Sequence, residues 1–205
     1  MLFRSAPIQV VIIPIYYSNE DKEKVMQSAS DVKDELSRNN IRVHLDDREQ
    51  LKPGFKFNDW EMKGIPIRIE IGPKDIANSR VVLVRRHNQS KISLEYIQVP
   101  HTSHDALIEK ILSELKNIQK EMFDAAKKIL DERVVKVSEY KQFKEELGNG
   151  KMIDCSWCGN QTCEDKIKEE TGADLRVIPS DNTKAETCIY CKNSGTTNAL
   201  FAKGY

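Results

Sequence analysis

The residues best suited to chemistry are five cysteines gathered near the C-terminal end: Cys155, Cys158, Cys163, Cys188 and Cys191. Thiolates are soft metal ligands, redox centres or nucleophiles. Cys188-Ile-Tyr-Cys191 is a C-x2-C knuckle, and two pairs compete to face it. Cys155-x2-Cys158 has the commoner spacing, and Cys158-x4-Cys163 is also within the usual range. Either choice lets four thiolates converge tetrahedrally on one Zn2+. Four thiolates close the coordination shell, so such a zinc would hold the fold rather than catalyse. The motive is size, because about fifty residues bury too little apolar area to fold securely alone. Free buried thiols and a redox C-x2-C are the alternatives. The redox reading wants a βαβ setting, whereas this segment reads as loop-rich.

A second constellation lies between Lys52 and Lys91. Nine basic residues (Lys52, Lys56, Lys63, Arg68, Lys74, Arg80, Arg85, Arg86, Lys91) face four acids (Asp59, Glu61, Glu70, Asp75), a local charge of +5 in a chain whose net charge is zero. Phe55, Phe57 and Trp60 are interleaved with them. Cations that pair with phosphates and rings that stack on bases can grip single-stranded nucleic acid. A solvated helix face over core aromatics accounts for the same pattern equally well. His44, His87, His101 and His104 are scattered and read as surface or hydrogen-bonded side chains. No Ser/His/Asp set, P-loop or G-x-G-x-x-G is present.

These residues need elements to hold them. Gln9 to Tyr16 is a continuous β-branched run, typical of a strand buried on both faces. Asn19-Glu20-Asp21 suits a helix N-terminus, and Val25, Ala29, Val32 and Leu36 recur at helical spacing. Ile41 to His44 is a second strand, so β-α-β order predicts a parallel pair. A short helix from Phe55 to Lys63 follows. Ile65, Ile67, Ile69 and Ile71 alternate with Pro66, Arg68 and Glu70, a strand with one polar face. Arg80 to Arg85 and Ile92 to Tyr96 predict a hairpin around His87-Asn88-Gln89-Ser90. Asp105 to Glu132 is a long helix striped by Leu107, Ile108, Ile111, Leu112, Leu115, Ile118, Met122, Ala126 and Ile129. Its length suits packing on the first sheet before leading into a second unit. A strand over Val134 to Val137, a helix over Glu139 to Leu147 and a strand at Met152-Ile153 precede the cysteines. The expected fold class is α/β: a mixed five-stranded sheet with flanking helices, then a small α/β zinc-binding domain. The expected division is 1–104, a connecting helix 105–132, and 133–205.

Composition is that of a soluble globular protein, 39% hydrophobic and 31% charged. No run reaches the roughly 18 apolar residues of a membrane span, and the first residues lack a signal peptide's apolar core. A cytoplasmic protein is expected, where paired cysteines mean metal or redox chemistry rather than structural disulfides.

Ala6–Pro14 (APIQVVIIP), Val43–Arg48 (VHLDDR), Pro53–Gly64 (PGFKFNDWEMKG) and Pro66–Asp75 (PIRIEIGPKD) resemble the anticodon-binding domain of class II aminoacyl-tRNA synthetases. The PG-F-K-F-x-x-W-E-x-K-G and G-P-K-D segments are similar to prolyl-tRNA synthetases of the archaeal and eukaryotic type. That family continues with C-G-x3-C-E-D, a C-x2-C pair and a terminal tyrosine, matched by Cys158-Gly159, Cys163-Glu164-Asp165, Cys188-x2-Cys191 and Tyr205. The resemblance covers nearly the whole chain. Histidyl, threonyl and glycyl synthetases share the first fold without the zinc appendage.

The resemblance implies that the first domain reads the anticodon loop of tRNA(Pro), whose last two anticodon bases are guanines. Carried over by motif, the readers are Phe57 (stacking), Glu61 (accepting guanine N–H donors), and Arg68, Lys74 and Lys91 (guanine edges or phosphates). It moves the first metal pair to Cys158 and Cys163, so the ligands become Cys158, Cys163, Cys188 and Cys191, with Cys155 spare at the end of its strand. It further implies a proline–tRNA ligase acting as a homodimer, with ATP and Mg2+ confined to a catalytic domain. The class II catalytic motifs are not provided by this chain, so it would be inactive alone: a C-terminal portion of the enzyme, as Leu2 to Ser5 without a cap or turn suggests. The alternative is a stand-alone, non-catalytic anticodon-domain protein that binds RNA or regulates. Residues near Tyr205, tucked toward the catalytic domain in the family, would be looser or packed elsewhere without it.

Overall fold

The computed structural model of the chain describes residues 7–95, 105–180 and 186–204. The expectations for Leu2 to Ser5, Tyr96, His101, His104 and Tyr205 fall outside these residues. Two compact units divide between Phe123 and Asp124.

In the first unit, β1 (Val10–Pro14) is buried at all five positions. A strand flanked on both sides has no solvated face, which is why the run is continuously apolar rather than alternating. The helix α1 (Asn19–Arg38) begins one residue earlier than Asn19 suggests. Its cap is Ser18, whose hydroxyl accepts the Asp21 N–H at 3.1 Å. Val25, Ala29, Val32 and Leu36 are buried as the spacing requires. Next come β2 (Val43–Leu45), α2 (Pro53–Met62, with proline in its first turn), β3 (Ile67–Ile71), α3 (Pro73–Ala77) and the hairpin of β4 (Arg80–Arg85) and β5 (Lys91–Glu95). The five-stranded sheet has the order β2-β1-β3-β4-β5, parallel through its first three strands and antiparallel through its last two. The mixed sheet with flanking helices is therefore present as the sequence implied. The short α3 has too few residues to leave a periodic signal; Pro73 at its start is its one visible mark.

One sheet face carries the main core. Val10, Ile12, Ile67, Ile69, Ile71, Val81 and Leu83 meet α1 and Leu107, Ile108, Ile111, Leu115 and Ile118 of α4 (Asp105–Arg133). The opposite face holds a smaller cluster, Val11, Ile13, Trp60 and Ile65, under α2. The helices that follow β1 and β2 thus lie on opposite faces. The stripe on α4 is buried at Leu107, Ile108, Ile111, Leu115 and Ile118, whereas Leu112, Met122 and Ile129 are 42%, 41% and 54% exposed.

The second unit contains β6 (Val134–Lys136), α5 (Tyr140–Gly148), β7 (Met152–Trp157), α6 (Gln161–Thr171), β8 (Ala173–Val177) and β9 (Thr197–Lys203). Their sheet runs β6-β7-β9-β8. β6 pairs parallel with β7, and β9 pairs antiparallel with both β7 and β8. Phe143, Leu147, Ile153, Ile167 and Phe201 fill its core together with the cysteines. The cysteine segment is thus less loop-rich than its sequence reads, because α6 is short and polar on most faces. Gly172 ends α6 at φ +72°, the left-handed conformation that glycine adopts without strain.

Candidate nucleic-acid interface and metal centre

In the second unit, strand and helix deliver the thiols. Cys158 follows β7 directly, and Cys163 lies in the first turn of α6, capped by Asn160, whose side chain accepts the Thr162 N–H at 2.9 Å. Cys188 and Cys191 bracket a tight turn closed by the Lys192 N–H donating to the Cys188 carbonyl at 3.1 Å. The four Sγ atoms lie within 4.8 Å of one another. Cys158 and Cys163 are 3.6 Å apart, and Cys191 and Cys158 3.8 Å. A tetrahedron with ~2.3 Å metal–sulfur bonds has edges of about 3.8 Å. A disulfide would require ~2.05 Å. The donor set and its spacing therefore suit one metal ion.

Burial pushes the Cys158 thiol up and the Cys163 thiol up to about 12, whereas backbone amides favour the thiolate at Cys188. Burial acts to raise the Cys188 thiol, but the N–H groups of Cys191 and Tyr190 outweigh it and bring it down to about 7. Cys155 is 1% exposed and sits within β7, not at its end, on the face of Ile153 and Trp157. Burial pushes its thiol up to about 12, so it stays protonated and packs as a small apolar side chain.

In the first unit, the polar face of β3 is where charges gather. Arg68 donates to Glu70 through Nε at 3.0 Å, and its Nη2 lies 2.9 Å from the same oxygen. Lys91, the first residue of β5, reaches the other Glu70 oxygen at 3.1 Å. Glu70, only 7% exposed, thus holds two cations from strands two places apart. The alternation predicted a polar face for β3. It does not show that its acid is buried, because the covering comes from α2 and from the cations themselves.

Phe57 and Glu61 come from α2, four residues apart and hence on one side of the helix. The Arg68 guanidinium lies 4.2 Å from the centre of the Phe57 ring, a cation–π contact that covers one ring face. Phe57 also walls an open cleft of about 680 Å³ at the carboxyl end of β1, shared with Tyr16, Tyr17 and Lys52. Glu61 is exposed at the end of α2. Lys74 is exposed on α3, and its carbonyl accepts the Asn78 side chain at 2.6 Å. Phe57, Arg68 and Lys91 are thus connected through Arg68 and Glu70, whereas Lys74 joins no such contact among the described residues.

A buried hub fixes α2. Asp46 is fully buried and accepts from Trp60 Nε1 at 2.7 Å and from Arg48 at 2.7 and 2.9 Å. Arg48 also bonds Asp59 of α2 at 2.8 Å, and Lys56 donates to the Asp46 carbonyl at 3.0 Å. Burial acts to raise the Asp46 carboxyl. Hydrogen bonds from Arg48 and Trp60 outweigh it and hold the group well below the usual carboxylate range. Arg85 ties the hairpin to α4 by pairing with Glu114 and Glu121, and His87 Nε2 lies 2.7 Å from Glu121. Sequence reading missed Asp46, Glu70 and Arg85 as organisers. Their signals were present (an acid in VHLDDR, an acid amid cations), but only contact reveals the partners.

The chain belongs to the anticodon-binding domain family, whose match spans residues 9–114 and with them the whole first sheet. Residues 140–205 match the prolyl-tRNA synthetase C-terminal family, so the two units carry the anticodon-binding and C-terminal domains of proline–tRNA ligases. Similar proteins include the proline–tRNA ligase of Cenarchaeum symbiosum, 43% identical over 98% of this chain and 40% of the relative. The chloroplastic/mitochondrial proline–tRNA ligase of Arabidopsis thaliana is 40% identical over 98% of this chain and 37% of the relative. That of Natranaerobius thermophilus is 39% identical over 98% and 40%. The chain spans about two fifths of the length of these relatives. Among the described residues no helix is long and apolar enough to cross a membrane.

Proposed function

We propose that this chain selects tRNA(Pro) by its anticodon loop, within an enzyme that joins proline to that tRNA in the cytoplasm. The observation that carries the reading is the Phe57–Arg68–Glu70–Lys91 assembly: a stacking ring and two cations held on one sheet face by a buried carboxylate. Phe57 stacks a loop base on the ring face that Arg68 leaves open. Glu61 accepts guanine N–H donors. Arg68, Lys74 and Lys91 contact guanine edges or phosphates. The cleft beside Phe57 offers room for the neighbouring nucleotide.

In this reading residues 1–104 bind the anticodon, 105–132 connect, and 133–205 form the metal-binding domain. Cys158, Cys163, Cys188 and Cys191 hold a structural Zn2+, which supplies folding energy and no chemistry. ATP and Mg2+ belong to the enzyme's catalytic domain, which this unit supports and which works as a homodimer.

The test is titration of the chain with a tRNA(Pro) anticodon stem-loop. Arg68→Ala or Lys74→Ala is expected to weaken binding by about 1–3 kcal/mol. Equal affinity for a stem-loop with both guanines replaced would refute base reading by this domain.

A further inference from the structure

A narrow slot of about 10 Å³ opens between α2, β3 and the β4–β5 turn, lined by Phe57, Glu61, Arg68, Arg86 and Gln89 over an apolar floor that includes Trp60. Its two cations differ. Arg68 is neutralised by Glu70 and stacked on Phe57. Arg86 has no carboxylate within ion-pair distance among the described residues, and its buried Nε has no hydrogen-bond partner. The backbone of Arg86 is nevertheless fixed at both ends. Its N–H donates to the Pro66 carbonyl at 3.0 Å, and its own carbonyl accepts Gln89 Nε2 at 2.9 Å. Gln89 holds φ +57° in that turn, so the loop that presents Arg86 is tightly shaped. The Arg86 guanidinium is thus half-buried on a fixed backbone, with no anion beside it among the described residues, and is available to a ligand at the rim of the slot.

The opposite wall supplies the complement. Glu61 is exposed, and no ion pair or hydrogen bond engages its carboxylate among the described residues. The slot therefore sets a free carboxylate across from an unpaired guanidinium. The Watson–Crick edge of guanine has that pattern: N1–H and N2–H donate, while O6 accepts. Adenine reverses it at both positions, offering an amino donor and a ring-nitrogen acceptor. The slot is too narrow to admit a base, so the base presents its edge at the rim.

We infer that Arg86 is a specificity-determining residue that donates to guanine O6 while Glu61 accepts from N1–H and N2–H of the same base. This rests on the anticodon-reading function above and adds a partner for Glu61 that no sequence motif marked.

The experiment compares the 205-residue chain with its Arg86→Ala and Arg86→Gln variants, each first checked by melting temperature and circular dichroism. The probes are stem-loops carrying two guanines, and stem-loops in which one or the other guanine is replaced by 2-aminopurine, which lacks O6 and the N1 proton. Arg86→Ala is expected to weaken the two-guanine loop roughly 10- to 100-fold. It should change binding of one of the 2-aminopurine loops by less than about threefold, so that discrimination at that position collapses. Arg86→Gln serves the same comparison if the alanine variant fails to fold. An equal loss on every loop would make Arg86 a phosphate contact and overturn the proposal, as would unchanged binding to the two-guanine loop. If the unsubstituted chain itself fails to prefer guanine over 2-aminopurine at either position, the anticodon-reading function fails first, and the two failures are thereby distinguished.

Discussion

At the scale of single residues, burial decides which acids and thiols matter. Asp46 and its neighbour Asp47 are the same residue type, yet only Asp46 enters the interior, where Arg48 and Trp60 satisfy it. Its folded-state pKa is depressed, so its contribution to stability is present above the unfolded value near 4 and is lost as pH falls through the folded value. Asp46→Asn is expected to cost about 1–3 kcal/mol at pH 7, since it removes the charged acceptor of Trp60 and Arg48 and leaves Arg48 with Asp59 alone. That gap should narrow in melts below about pH 4; a gap that is constant with pH would show that the carboxylate charge is not what Asp46 contributes. Cysteines obey the same logic. Cys155 lies within β7 on its buried face, whereas Cys158 lies just beyond the end of that strand. One is sealed in the core and the other reaches the cluster, so the commoner C-x2-C spacing loses to C-x4-C.

At the scale of elements, α4 shows how far an apolar stripe can be trusted. The spacing continues through Met122 and Ile129, but partners for it end near Ile118. Periodicity records only that a helix is amphipathic; a neighbour must supply the burial. Ile111→Ala, at a fully buried position, is expected to cost about 2–5 kcal/mol in denaturant unfolding. Ile129→Ala should stay within about 0.5 kcal/mol. Comparable losses at both sites would mean that Ile129 is covered in solution. The short helix α2 makes the converse point. Its core contacts are few, and it is pinned by the Asp46 hub, which places Phe57 and Glu61 on one side facing β3. Ionic contacts at its buried side fix this helix.

At the scale of the whole chain, two compact units with separate cores should unfold separately. Thermal melting of the metal-loaded chain is expected to show two transitions. Cys163→Ala should remove the metal and lower only the transition of the second unit, whereas Cys155→Ala should retain the metal, as measured by metal analysis of the purified variants. Loss of metal from the Cys155 variant would overturn the ligand assignment. Much of this organisation is written in the sequence. The unbroken β-branched run fixes a central strand because only a strand covered on both faces tolerates it. The helical stripes, the hairpin and the Cys188-x2-Cys191 knuckle follow from spacing, which is a local property. The C-G-x3-C-E-D resemblance already points to Cys158, Cys163, Cys188 and Cys191, the four thiols that the fold brings together. Tertiary structure alone decided the rest: that Glu70 is buried between two cations, that Asp46 anchors α2, and that Arg86 and Glu61 line one slot. Each of these joins residues from different elements. Whether a charge is solvated, paired or left waiting for a ligand depends on what the fold brings next to it.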